Sequence, residues 1–219
     1  MSLLSTILEV FFPSRCLSCG EKNTELCTKC LNESPGAERE SAKWVFPLYD
    51  YRHPPIKKSI ALLKYKGKKR IAEIFGEVLY DKILEEVSEL AMMENFRESI
   101  LVPIPLSRKR LHERGYNQAE LSCKQIIKIN NERSGINTKL ENGILIKIKD
   151  EKHQAHLSDR RERLENIVGS FVVKNPEMIK NKNIILIDDV TTTGATLEEA
   201  KKTLKKSGSR KVIAFTIAH

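Results

Sequence analysis

The sequence predicts an α/β fold: a Rossmann-like, mostly parallel sheet with an attached polar hood, preceded by a small N-terminal zinc-binding segment. Three observations predict it. Residues 184–196 read IILIDDVTTTGAT, an apolar run passing through two acids into a Thr/Gly loop that stops where helical spacing begins. Strand-like and helix-like segments alternate around that loop, as in a doubly wound sheet. Ahead of them lie two pairs of cysteines at metal-ligand spacing.

Taken in order, residues 3–12 are apolar but contain Glu9 and are too short to span a bilayer. They read as an amphipathic helix packing on the protein or a partner, with peripheral membrane contact as the alternative. A basic leader and a small-residue cleavage site are missing, which speaks against a secretory signal. Cys16-x2-Cys19 and Cys27-x2-Cys30 follow. One tight turn aims each pair at a single ion, and four thiolates suit a closed tetrahedral Zn²⁺ site. Gly20 fits the turn of such a knuckle. Two disulfides or a redox dithiol are the rival readings; the first conflicts with the missing secretion signal, and the second does not explain two copies. Such a segment has little core of its own, so metal binding would largely be its folding energy.

Residues 32–43, with Pro35, Gly36 and several charges, read as a linker, so the expected division is 1–43 and 44–219. Residues 44–51 are strand-like. A helix from near Ile56 puts Ile60 and Leu63 on one face, and Gly67 breaks it amid lysines. A long helix from about Ile71 carries Phe75, Val78, Leu79 and Ile83 at helical spacing. Residues 100–104 form another apolar strand. Next come LSRKRLHERG, read as a basic loop closed by Gly115, and a helix from Asn117 to about Ile129 that Asn117 is placed to cap. Cys123 on that helix is expected to be a buried small side chain. Residues 143–148 and 168–173 look like strands flanking a polar segment, 149–166. The chain closes with the strand at 184, a helix ending near Gly208, and a strand over 212–217.

The four apolar residues Ile184, Ile185, Leu186 and Ile187 suit a strand buried on both faces. Asp188 and Asp189 then fall at its carboxyl end, where open α/β sheets place their ligands. In Thr192, Thr193, Gly194, Ala195 and Thr196, backbone N–H groups and hydroxyls can close around an anion. Thr196 is placed to cap the helix carrying Leu197, Ala200 and Leu204, and a phosphate there gains unpaired N–H donors and the positive end of the dipole. Carboxylates beside a phosphate nest serve something else, such as sugar hydroxyls or a divalent cation.

The chain has 219 residues, 40% hydrophobic and 31% charged, with a formal charge of +9. That is a soluble chain suited to polyanions, and charge alone does not choose among nucleotides, pyrophosphate and nucleic acid. Arg108, Lys109, Arg110 and Arg114 follow directly after a strand, and arginine meets pyrophosphate oxygens with parallel charge-assisted bonds. Residues 57–70 read equally as a phosphate-neutralising strip or as the wet face of a helix. Residues 149–166 carry His153, Gln154, His156, Arg160, Arg161, Arg163 and Asn166, and suit a polar loop that closes over a charged reaction. The two histidines are not needed by the zinc, whose four positions sulfur fills.

The stretch 184–196 resembles the phosphoribosyl-pyrophosphate (PRPP) signature of type I phosphoribosyltransferases. FFPSRCLSCG, LCTKC, ALLKYKGKKRIAEIFG, VPIPLSRKRLHERGYNQAELSC and KHQAHLSDRRERLENIVGSF narrow the likeness to the ComF family of competence-related phosphoribosyltransferase-like proteins, over nearly the whole chain. The resemblance implies that Asp188 and Asp189 serve the ribose hydroxyls, directly or through metal and water, and that Thr192, Thr193, Gly194, Ala195 and Thr196 hold the 5′-phosphate. Arg108, Lys109, Arg110 and Arg114 would face the pyrophosphate, with Asp188, Asp189 and Arg110 the catalytic set. It further implies Mg²⁺ with PRPP, structural Zn²⁺ and cytoplasmic work. Single-stranded DNA and a DNA-uptake helicase or recombination proteins are the partners it suggests.

Departures from the pattern are Lys147 where members tend to have arginine, Glu151 where they have threonine, and Thr192 where purine-using transferases place an aspartate. A hydroxyl is a poor proton acceptor at neutral pH, which argues against ordinary purine salvage. Two functions follow: phosphoribosyl transfer with release of pyrophosphate to an unidentified acceptor, or a non-catalytic module binding single-stranded DNA or a partner of the uptake machinery. Aromatic residues at 6% offer the second reading little stacking surface.

Overall fold

A computed structural model describes residues 14–38, 41–149 and 167–219. The amphipathic segment 3–12 and most of the polar segment 149–166, with His153, Gln154, His156, Arg160, Arg161, Arg163 and Asn166, lie outside those residues.

The strands are β1 (Val45–Tyr49), β2 (Ser99–Pro103), β3 (Thr138–Leu140), β4 (Leu145–Lys147), β5 (Phe171–Val173), β6 (Asn183–Val190) and β7 (Lys211–Ala218). The helices are α1 (Thr28–Asn32), α2 (Pro54–Tyr65), α3 (Arg70–Glu94), α4 (Arg108–Arg114), α5 (Gln118–Arg133) and α6 (Ala195–Lys206). Five strands form one sheet in the order β1-β7-β6-β2-β3, every pairing parallel. The strands β4 and β5 form a separate antiparallel hairpin.

Strand β6 lies at the centre, with Ile184 level with Ile100 and Val212, and Leu186 level with Val102 and Ala214. Its side chains alternate between two cores. Ile185 and Ile187 join Ile213, Phe215 and residues of α2, α3 and α5. Ile184 and Leu186 join Leu197, Ala200 and Leu204 of α6, and Phe171 of the hairpin. This two-sided burial is the packing that the unbroken apolar run predicts. The cysteine segment shares the first core, because Leu26 and Leu31 pack in the same cluster as Ile60, Phe75 and Ile83.

Local signals explain the element ends. Helix α2 opens on Pro54 and Pro55, whose fixed φ suits a first turn. The side chain of Asn117 accepts the Ala119 N–H at 3.0 Å and caps α5 as expected. Cys123 is fully buried, and that burial pushes its thiol well up.

Three elements differ from expectation. The basic stretch after β2 is helical: Ser107 accepts the Arg110 N–H at 3.4 Å, Gly115 closes the turn, and the Arg, Lys and Leu between are good helix formers. Strand β3, a short edge strand beside β2, carries only a weak local signal. Finally, the residue at the N-cap of α6 is Gly194, not Thr196. Gly194 sits at φ 76°, a left-handed conformation glycine adopts without penalty, and Thr196 falls inside the first turn. Among the described residues, no helix is long and apolar enough to cross a membrane.

Candidate functional site

Asp188 and Asp189 close the central strand, and their two environments differ. Asp189 is buried, whereas Asp188 is half-buried. Asp189 Oδ1 takes an ion pair from Lys64 Nζ at 2.6 Å, and Asp189 Oδ2 accepts a hydrogen bond from the Gln118 amide. Gln118 Oε1 in turn accepts from the Arg114 guanidinium at 3.0 Å. A polar chain therefore runs from α2 through the strand end to α4. Asp188 Oδ1 accepts the Asp189 backbone N–H at 2.8 Å. Burial first and the Asp189 charge second push the Asp188 carboxyl up to about 7, against the pull of Lys64 and Lys147.

The loop after β6 is held at its root, where the buried Thr191 donates its N–H to Ala218 O at 3.0 Å. Thr192 and Thr193 are exposed, Thr196 is half-buried and Ala195 is buried. Thr193 Oγ1 accepts the Ala195 N–H at 3.4 Å. This is a helix N-terminus fronted by two hydroxyls, a ready anion cradle. The carboxylates beside it are hard oxygen donors of the kind Mg²⁺ accepts, directly or through its waters.

The expected pyrophosphate residues are dispersed over α4. Arg114 reaches the acid pair through Gln118, and its guanidinium lies 5.4 Å from the Tyr65 ring centre. Arg108 is exposed and borders a 360 Å³ cavity with Ile146, Lys147, Ile148 and Lys149. Lys109 is exposed, and Arg110 is half-buried. Lys147 is buried, 5.7 Å from the Phe171 ring centre.

Residues 57–70 divide between the two readings given for them. Lys57, Lys58 and Lys66 are exposed, whereas Lys64 turns inward to Asp189 and Lys68 faces the buried Glu25 at 3.7 Å. Tyr65, in the same segment, is 71% exposed, an aromatic surface that composition alone undervalues. Lys64 and Gln118 are the site residues that the sequence reading missed. The available signal was periodicity: Lys64 continues the buried stripe Ile56, Ile60 at the four-residue step, where a charge needs a partner.

The four cysteines converge. Their sulfurs lie within 4.8 Å of one another, and Cys19 Sγ is 3.7 Å from Cys27 Sγ. Zn–S bonds of about 2.3 Å in a tetrahedron put sulfurs about 3.8 Å apart, so the donor set fits zinc. Gly20 donates its N–H to Cys16 O at 3.0 Å, forming the expected turn. Burial raises the Cys16 thiol pKa, but backbone N–H groups of Cys27, Cys19 and Ser18 outweigh it and bring the thiol down to about 6.

Comparison with known proteins agrees with this geometry. The phosphoribosyl transferase domain family matches residues 134–219. Competence protein F of Haemophilus influenzae is 27% identical over 210 residues, 91% of this chain and 83% of the relative. DNA utilization protein YhgH of Escherichia coli K12 is 24% identical over 200 residues, 90% of this chain and 80% of the relative. Competence protein ComFC of Bacillus subtilis is 29% identical over 165 residues, 74% of this chain and 59% of that one.

Proposed function

Because this chain belongs to the ComF family of competence proteins, which carry a phosphoribosyl transferase domain, we propose that it binds PRPP with Mg²⁺ at the end of β6. The observation that carries this reading is the adjacency of an acid pair and a hydroxyl-rich helix N-terminus on the central strand. The 5′-phosphate takes Thr192, Thr193, Gly194, Ala195 and Thr196, and the ribose hydroxyls take Asp188 and Asp189. The pyrophosphate faces Arg108, Lys109, Arg110 and Arg114.

As the bond from C1 to pyrophosphate lengthens, positive character grows on the ribose, and the carboxylates of Asp188 and Asp189 stabilise it. Arg110 and its helix neighbours stabilise the departing oxyanion. Asp188 and Asp189 would hold Mg²⁺, directly or through its waters, and the ion would supply further neutralisation of the pyrophosphate charge. Thr192 supplies no base, so the acceptor carries its own proton-accepting group or has no proton to lose. Zn²⁺ at Cys16, Cys19, Cys27 and Cys30 is structural in this reading. Titrating the protein with PRPP in Mg²⁺ by calorimetry, then following pyrophosphate release against candidate acceptors, tests it. No heat from wild type overturns PRPP binding, and heat without turnover assigns a binder rather than a transferase.

A second role is favoured by the exposed Tyr65, which ends the helix that also exposes Lys57 and Lys58 and is followed by the exposed Lys66. It is contact with single-stranded DNA or a DNA-uptake partner, in keeping with relatives named for competence and DNA utilization. A positive strip tracks phosphates, and an exposed ring offers a base a stacking face.

A further inference from the structure

Lys64 stands on α2, outside the strand–loop–helix unit that carries the acid pair. Its side chain is 18% exposed and that of Asp189 8%. An ion pair this deep is not a surface ornament, since both ions give up most of their water and the pair survives only with good geometry and further hydrogen bonds. Both conditions hold. The amine meets Oδ1 at 2.6 Å, and the Gln118 amide meets Oδ2. Each Asp189 oxygen is therefore engaged before any ligand arrives.

The position is costly for α2. Ile56 and Ile60 are buried on the same stripe, where another apolar residue would pack without desolvating a charge. The stripe instead ends in a cation aimed at one of two consecutive carboxylates. Adjacent carboxylates repel, and a positive charge beside the more buried of them offsets part of that penalty while fixing its orientation. The link extends further, since Gln118 also accepts from Arg114 at the end of α4. One carboxylate is thereby tied to α2, α5 and α4 at once.

We propose that Lys64 is a positioning residue of the phosphosugar site, holding Asp189 in the orientation in which it meets the ribose and coupling the acid pair to the basic helix α4. The inference rests on the PRPP reading above. Lys64 acts through Asp189 and touches no reacting atom.

The test is a double-mutant cycle on the full chain, read by calorimetry with Mg²⁺ and PRPP, with thermal melts alongside. Lys64→Met weakens PRPP binding by about tenfold or more, and Lys64→Arg recovers most of it because the charge returns. In the Asp189→Asn background the same Lys64→Met change costs less than about threefold, since the group it positions has gone. Should Lys64→Met fail to fold, Lys64→Gln, which removes the charge while keeping a polar side chain, replaces it in the cycle. Equal losses in both backgrounds, or a Lys64→Arg variant as weak as Lys64→Met, overturn the proposal alone. Absence of PRPP binding by wild type overturns the phosphosugar reading and this inference with it.

Discussion

Asp188 and Asp189 are joined by a hydrogen bond between neighbours, with Asp188 Oδ1 accepting the Asp189 N–H at 2.8 Å. The bond stabilises the Asp188 carboxylate, but burial and the Asp189 charge outweigh it and raise the group from 3.8 to about 7. The folded protein therefore binds this proton more tightly than the unfolded chain does. Stability falls as pH rises between those two values and levels off above about 7. Melting temperatures of wild type, plotted against Asp188→Asn over that window, should show the slope in wild type alone. Parallel curves would remove the claim. PRPP binding, which uses the ionised carboxylate, should strengthen over the same rise in pH.

Zinc should be present at one ion per chain in protein purified without chelator. Leu26 and Leu31 pack in the main core, so Cys30→Ser or chelation should lower the melting temperature of the whole chain, not only loosen the first residues. Since Asp189 is held by Lys64 and Gln118, neither in the cysteine segment, PRPP affinity should fall far less than stability. Elemental analysis finding no zinc in native protein would defeat this.

Gly194 stands at the N-cap of α6 at φ 76°, with no heavy atom within 4 Å of where a Cβ would stand. The penalty of Gly194→Ala is therefore backbone strain, about 1–2 kcal/mol, and it falls on the anion cradle. Thr196→Val should weaken PRPP binding by roughly 0.5–3 kcal/mol for one uncompensated hydroxyl. Calorimetry on both variants checks these values, and unchanged affinity in both would remove the phosphate from this loop.

For single-stranded DNA, charge reversal at Lys57, Lys58 and Lys66 should reduce binding and flatten its salt dependence, because each neutralised phosphate releases counterions. PRPP binding should be nearly unaffected. Tyr65→Ala should cost about 1–3 kcal/mol if a base stacks there. Lys68 is the wrong choice for this experiment, since it faces Glu25, and Lys69 lies 5.0 Å from the Tyr116 ring centre. Filter binding at several salt concentrations reads the outcome, and a salt-independent signal would exclude a phosphate-tracking role for the strip.

The order of elements was legible in local pattern. The run Ile184 to Ile187 announced the central strand, the stripes of α2 and α3 announced buried helices, and Asn117 announced a cap that the structure contains. Four cysteines at knuckle spacing announced a metal-sized cluster of sulfurs. Each of these signals is written within a few residues of chain, because backbone periodicity, capping and a two-residue ligand spacing are local physics.

Other features rested on a single residue or were not local at all. Whether 108–114 is loop or helix depended on Ser107 accepting one N–H, and where α6 begins depended on a single left-handed glycine. The choice between a wet basic face and a site residue at Lys64 was decided only when α2 packed against the sheet and brought its amine to the end of β6. Gln118 and Asp189 likewise lie far apart in sequence and meet because α5 crosses the same strand end. From the sequence alone came the strand, the acid pair and the sulfur ligands; which cation and which amide hold Asp189 was decided by tertiary structure, because buried charges find partners through packing across elements.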